Sequence, residues 1–210
     1  MDAPGLRSID RILTTHVGSL IRPDDLVAAL QARRAGDGIS DDELAALLSD
    51  RVREVVLQQA EVGIDLVSDG EFGKTISWSR YILERLDGFE DRSDPAQAGG
   101  RPARPLGPRT DIELFPDFYA EYNKTQGFED VMRNPVCVGP ISYVGQDALQ
   151  RDIANVVSAV EVARAAGHEV SAFLPVVAPA SVAYKRQDVH YATEEEYVYA
   201  VAEALREEYR

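Results

Sequence analysis

Two stretches of the chain carry residue types that chemistry needs. In Val67-Ser68-Asp69-Gly70-Glu71-Phe72 an apolar run ends in two carboxylates around a glycine. Acidic side chains at a strand-ending turn are costly unless they face water, a cation or an amine. In Thr14-Thr15-His16-Val17-Gly18-Ser19-Leu20 a second β-branched run ends in a glycine turn. Gly18 permits close backbone approach, Ser19 can donate a hydrogen bond, and His16 offers ring nitrogens. Both turns also read as ordinary strand ends. Asp69 suits ordering of its own turn, because an Asp side chain bonds the backbone two residues on. Trp78 reads as a core or lid aromatic, with the mouth of a pocket as the alternative. Cys137 lies in an apolar run and reads as an inert core thiol.

Composition narrows the function classes. The 210 residues carry 22 Lys and Arg against 36 Asp and Glu, a net charge of -14. Nucleic acid or an anionic membrane would be repelled, so neither is expected as a partner. One cysteine allows no intrachain disulfide. His16, His168 and His190 are scattered, so no cluster has zinc-ligand spacing. The first residues lack the apolar run of a signal peptide, and no segment approaches the roughly 18 apolar residues of a membrane span. A cytoplasmic location is expected.

The elements that must position these residues follow from periodicity. A strand is expected within Ile9 to Leu20, then a short helix from Asp24 to Ala32. Ser40 and Glu43 form a capping box. Leu44, Leu47, Leu48, Val52, Val55, Val56 and Gln59 then make a helical stripe that stops at Gly63. Ile64-Asp65-Leu66-Val67 is the next strand, and a helix is expected from Ser77 to Leu86. About 88–134 reads as an irregular insertion. Pro135 to Tyr143 is a third strand. Gln146 to Ala166 is a helix facing inward through Leu149, Ile153, Val156, Val160 and Ala163. Val170 to Val177 is a fourth strand. A second capping box, Thr193 with Glu196, opens a helix with Tyr197, Val201, Ala204 and Leu205 on one side. Alternating strands and helices imply an α/β fold with parallel pairing. In such sheets the loops after the strands hold the chemistry. Here those are His16 to Ser19, Ser68 to Glu71, and Ser142. Four strands are too few for a (β/α)8 barrel, so residues 1–210 are expected to form about half of a TIM-type barrel as one partial domain. An open four-stranded sheet is the alternative.

The residues also carry a resemblance. Thr14 to Pro23 resembles the opening of the catalytic barrel of cobalamin-independent methionine synthase and its shorter relatives. Gly63 to Phe72 resembles the second strand and its G-E-F turn, and Leu86-Asp87-Gly88-Phe89 the apolar motif that follows. Val176 to Ser181 is similar to the turn after strand four, with Ala178 where the family has glycine. The matches run from about residue 12 onward, which implies the amino-terminal half of the barrel.

What the resemblance implies is methyl transfer from a methyl-folate-type donor to the thiol of homocysteine or a similar small thiol. Zinc binds that thiol as thiolate, because a thiol of pKa about 8.5 is mostly protonated near neutral pH. Val17, Gly18 and Ser19 then match a clamp on the substrate carboxylate, and Glu71 the partner of its ammonium. His16, Asp69 and Trp78 are weaker members of the substrate site. The family's zinc ligands, a His-x-Cys pair, a Glu and a later Cys, fall past residue 210. Zinc is therefore expected from a missing second half, and no catalytic or metal residue is assigned. The expected partners are the thiol substrate and either a second copy or a complementing half-barrel chain. Two alternatives stay open: alkyl transfer of the coenzyme M type or a decarboxylase-type relative on the same barrel, and a non-catalytic half barrel. A sulfonate-headed thiol would call for Arg or Lys where Glu71 stands, which leans the reading toward an amino acid.

Overall fold

Both capping boxes form. Ser40 Oγ accepts the Glu43 amide at 3.2 Å while Glu43 Oε2 accepts the Ser40 amide at 3.0 Å. Thr193 and Glu196 repeat the arrangement at 3.1 and 3.2 Å. Each box gives partners to two amides that a helix start leaves unpaired. The computed structural model of the chain describes residues 11–36, 38–74, 81–92, 114–125, 135–183 and 186–210. In chain order its elements are α1 (Asp24–Ala35), α2 (Asp41–Glu61), β1 (Leu66–Val67), a 3-10 turn (Leu83–Arg85), β2 (Leu86–Asp91), α3 (Pro116–Thr125), β3 (Pro135–Tyr143), α4 (Gln146–Ala165), β4 (Ser171–Ala172), α5 (Pro179–Ala183), β5 (Gln187–Asp188) and α6 (Glu194–Tyr209). They fall into two compact units: Met1–Thr75 with Asp147–Val176, and Ile76–Gln146 with Val177–Arg210.

In the first unit the helical stripes meet in one core. Leu26 and Leu30 of α1 pack with Leu48, Val52, Val55, Val56 and Ala60 of α2. Val156, Ala159, Val160 and Ala163 of α4 join it, with the fully buried Val67 of β1. Ile153 was expected on the inner face of α4 but is 37% exposed; Ala159, 1% exposed, takes the inner position. Three backbone segments run parallel. Thr15 bridges Leu66, and β1 pairs with β4 through Leu66–Ser171 and Val67–Ala172. Past Val67 the ladder stops, and a side chain replaces it. The buried Gln59 amide donates to the Ser68 carbonyl at 2.8 Å and accepts the Ser68 amide at 3.1 Å. A polar residue on the α2 stripe thereby satisfies the strand end.

In the second unit the expectation of purely parallel pairing fails. β2 runs antiparallel to β3, from Leu86–Tyr143 to Asp91–Pro135, with an irregularity between Asp87 and Phe89. β3 pairs parallel with β5 at Val136–Gln187 and Cys137–Asp188. Leu86 starts a strand, not the last turn of a helix: within the expected 77–86 helix, residues 77–80 lie outside the described residues and 83–85 make a single 3-10 turn. The cause is local. Gly88 sits at φ 94 with Pro140 O only 2.8 Å from where a Cβ would stand, so the chain can fold back onto β3 only with glycine there. The supposed insertion thus contains most of β2 and also α3. The fourth strand shrinks to two residues: Ser171 and Phe173 donate to Asp65 and Val67, and Pro175, next in that series, has no amide to donate. Pro179 instead occupies the first position of α5.

The stripe on α6 buries Tyr197, Val201, Ala204 and Leu205 as expected, and also Glu208. Arg85 Nη1 donates to Glu208 Oε1 at 2.5 Å, and the Tyr143 hydroxyl donates to Glu208 Oε2. The Arg85 guanidinium lies 5.2 Å from the centre of the Tyr81 ring. Burial, and then the Glu208 carboxylate, push the Tyr143 phenol up, so it stays a donor. Among the described residues no helix is long and apolar enough to cross a membrane.

Candidate functional site

The three parallel segments of the first unit end on one side, and the loops that follow them carry the polar residues. The middle loop makes the sharpest turn. Gly70 and Glu71 have φ of 63 and 59, and the Phe72 amide bonds the Asp69 carbonyl at 3.3 Å. Two successive positive φ values with that bond are the pattern of a type I′ turn. Gly70 is demanded twice, since a Cβ there would also stand 3.1 Å from the Phe72 ring and 3.3 Å from Leu20 Cβ. Glu71 has a Cβ and pays roughly 1 kcal/mol for left-handed backbone. Asp69 helps to hold it there: its Oδ1 accepts the Glu71 amide at 2.9 Å. The Gly70 carbonyl accepts the Leu20 amide at 3.0 Å, joining this turn to the first loop.

The side chains then converge. Ser19 Oγ donates to Glu71 Oε2 at 2.6 Å. Lys74 Nζ stands 3.3 Å from Glu71 Oε1 and donates to the Pro175 carbonyl at 2.5 Å. The side chains of Glu71 and Lys74 are only 12% and 10% exposed. Arg22 spans the back of the turn: Nη2 donates to the Glu71 carbonyl at 2.6 Å and to the Lys74 carbonyl at 2.8 Å. Burial pushes the Asp69 carboxyl up, opposed by the Glu71 amide and the Lys74 charge, while Asp152 of α4 adds to the rise. Burial also draws Arg22 down, against the pull of Glu71 and Asp69. Among the described residues the locale brings together the carboxyl groups of Asp69, Glu71 and Asp152 and the cations of Lys74 and Arg22.

The sequence-named residues are distributed unevenly over this locale. Ser19 and Glu71 meet in one hydrogen bond. Gly18, at φ 105, makes the bend that brings Ser19 round. Val17 is 70% exposed. His16 is half-buried, and its Nε2 is shielded from solvent without a hydrogen-bond partner among the described residues. Asp69 faces the Glu71 backbone, the turn-ordering role. Trp78 lies outside the described residues. Ser142 lies in β3 of the second unit, in register with Asp87.

Sequence reasoning missed four residues that build the locale: Arg22, Lys74, Asp65 and Gln59. The three-residue spacing of Glu71 and Lys74 was a usable signal for one of them. Asp65 is buried and anchors the first segment. It takes a two-pronged bond from Arg11 and accepts the Thr14 amide at 2.8 Å and the Thr14 hydroxyl at 3.0 Å. The Arg11 guanidinium, with the Thr14 amide, holds its carboxyl well below the usual carboxylate range.

Zinc does not fit the residues present. Among the described residues no group of three or more His, Cys, Asp and Glu side chains is placed to hold a metal ion. Cys137 is fully buried, and burial, with the nearby Asp188 charge, pushes its thiol up to about 12. A buried thiol in that state is no nucleophile. No chemical step through a metal is derived from this chain.

No family model matches the chain. The uncharacterized protein YxjH of Bacillus subtilis is 40% identical over 76 residues, which is 36% of this chain and 19% of that protein. A 5-methyltetrahydropteroyltriglutamate–homocysteine methyltransferase of Thermotoga petrophila is 27% identical over 152 residues, 67% of this chain and 20% of that protein. Among solved structures, a protein of Listeria monocytogenes described as a vitamin-B12-independent methionine synthase superposes with a TM-score of 0.59 at 20% identity, over 94% of this chain and 48% of that one. That likeness shows the fold alone. The chain thus spans about half the length of the structure it matches and about a fifth of its curated relatives. In sequence the chain is similar to members of the cobalamin-independent methionine synthase family, and it shares an α/β fold with parallel strands with a solved protein so described.

Proposed function

We propose that this chain forms the amino-acid-gripping part of a methionine-synthase-type methyltransferase. The whole protein would move a methyl group from a methyl-folate-type donor to the thiol of homocysteine or a similar small thiol. The observation that carries the reading is the 2.6 Å contact between Ser19 and Glu71, which come from two different loops at one end of the parallel segments. In parallel α/β folds that end is where ligands bind. A carboxylate such as Glu71 at that end suits an ammonium, as a charge-assisted hydrogen-bond acceptor. Gly18 supplies the bend that would bring the neighbouring carboxylate against the Gly18 and Ser19 backbone, the Ser19 hydroxyl being engaged by Glu71, with Val17 as exposed cover and His16 and Asp69 as weaker members of the site. Glu71 takes the amine, which favours an amino acid over a sulfonate-headed thiol. Aligning the head group is what sets the sulfur toward the methyl carbon, and such alignment supplies a large share of a transfer rate.

The metal that would arm the sulfur comes, in this reading, from residues outside this chain. The chain is then about half of a (β/α)8 barrel, a single partial domain acting in the cytoplasm. A partner surface favours that reading. Ile12, Val17 and Ile21 of the first segment are 89%, 70% and 96% exposed. This segment pairs with β1 through Thr15 and Leu66, and exposed β-branched residues along it are suited to cover by further chain, whether a second half or another copy.

Calorimetric titration of L-homocysteine into the wild-type chain and Glu71→Gln tests the grip. A lost charged hydrogen bond is worth about 1.5–3 kcal/mol, so the variant should bind roughly 10- to 100-fold more weakly. Equal affinities would remove Glu71 from the site.

A further inference from the structure

Glu71 can take an ammonium only if its carboxylate is aimed, and a glutamate side chain is flexible enough to swing away. Both oxygens are held in this structure. Ser19 bonds Oε2, and Lys74 faces Oε1 at 3.3 Å. A second donor of the same Lys74 ammonium reaches the Pro175 carbonyl at 2.5 Å. Pro175 stands on the loop after β4, Ser19 on the loop after the Thr15 segment, and Glu71 on the loop after β1. Lys74, nine-tenths buried, is therefore the side chain through which the third loop reaches the carboxylate. Arg22 adds nothing to the carboxylate, since it bonds the carbonyls of Glu71 and Lys74.

We propose that Lys74 is a positioning residue for amine recognition: it orients the Glu71 carboxylate and ties it to the strand-end backbone at Pro175, so that the site prefers thiols bearing an amino group. The inference rests on the proposed role of Glu71 as ammonium partner. Lysine is suited to the task because its ammonium has three donors to share among acceptors in different directions.

The test uses the full chain and two ligands, L-homocysteine and its des-amino analogue 4-mercaptobutyrate, titrated into wild type, Glu71→Gln, Lys74→Met and Lys74→Arg. Thermal melts confirm that each variant folds. Wild type should prefer homocysteine by about tenfold or more. Lys74→Met should cut the preference to about threefold or less while leaving 4-mercaptobutyrate within about twofold of its wild-type affinity. Lys74→Arg, which keeps a donor cation, should recover part of the preference. The proposal is overturned if Lys74→Met keeps the preference, weakens both ligands alike, or binds homocysteine more tightly, the last being the mark of a competitor for Glu71. Two further results strike the underlying reading and not Lys74 alone: a Glu71→Gln chain that keeps the preference, or a wild-type chain that binds no homocysteine.

Discussion

Replacing Arg22 with Met keeps the stem and removes the guanidinium. Two short bonds are lost, at 2.6 and 2.8 Å, to the carbonyls of Glu71 and Lys74. The third contact, Nε to Phe72 O at 3.4 Å, is too long to count for much. Hydrogen bonds from charged donors are worth about 1.5–3 kcal/mol each, and Arg22 is only half-buried, so the lower end applies. The expected loss is about 3 kcal/mol. For a chain of this size that corresponds to a fall in Tm of roughly 6–12 °C. Urea unfolding followed by far-ultraviolet circular dichroism measures it directly. Both bonds leave one nitrogen, Nη2, so Arg22→Lys keeps a point donor on a shorter stem and should recover about half of the loss. A loss under about 1 kcal/mol in Arg22→Met would show that Arg22 does not hold the turn.

Other perturbations probe the remaining supports. Gln59→Leu leaves the Ser68 amide and carbonyl without their partners in a buried setting and should cost about 2–5 kcal/mol in the same urea assay; a variant within about 0.5 kcal/mol of wild type would contradict that role. Cys137 is raised in the folded state from its ordinary 9.0 to about 12, so the neutral thiol favours folding. That contribution is complete below the unfolded value and is lost as pH climbs through this window. Cys137→Ala should therefore flatten the alkaline fall in stability between those two values, read from urea melts at stepped pH. An unchanged slope would refute the shift.

Much of the frame was readable because it is local. The capping boxes at Ser40 and Thr193, the stripes on α2 and α6, and the bounds of β3 all follow from residues within a turn or two of one another. What escaped was long-range. The antiparallel return of β2 onto β3 depends on Gly88 meeting Pro140, fifty residues on in sequence. Arg22 and Lys74 act on backbone carbonyls, and no side-chain pattern announces which carbonyl an arginine or lysine will reach. Asp65 looked like a strand residue because nothing near it in sequence shows that Arg11 and Thr14 will surround it. Ser19 and Glu71 were separately legible as turn residues, but their meeting is a property of the fold. The strand over 170–177 was overread because its apolar run hides Pro175, whose missing amide ends the ladder.

The central claim is that Ser19 and Glu71 grip one amino-acid head group. A crystal structure of the chain grown with L-selenomethionine tests it most directly, because the selenium atom can be located by its anomalous signal. The account predicts a selenium peak in the first unit, with the ligand's amino nitrogen within hydrogen-bond distance of Glu71 and its carboxylate against Gly18 and Ser19. A ligand bound elsewhere, or one that turns its carboxylate toward Glu71, would contradict it.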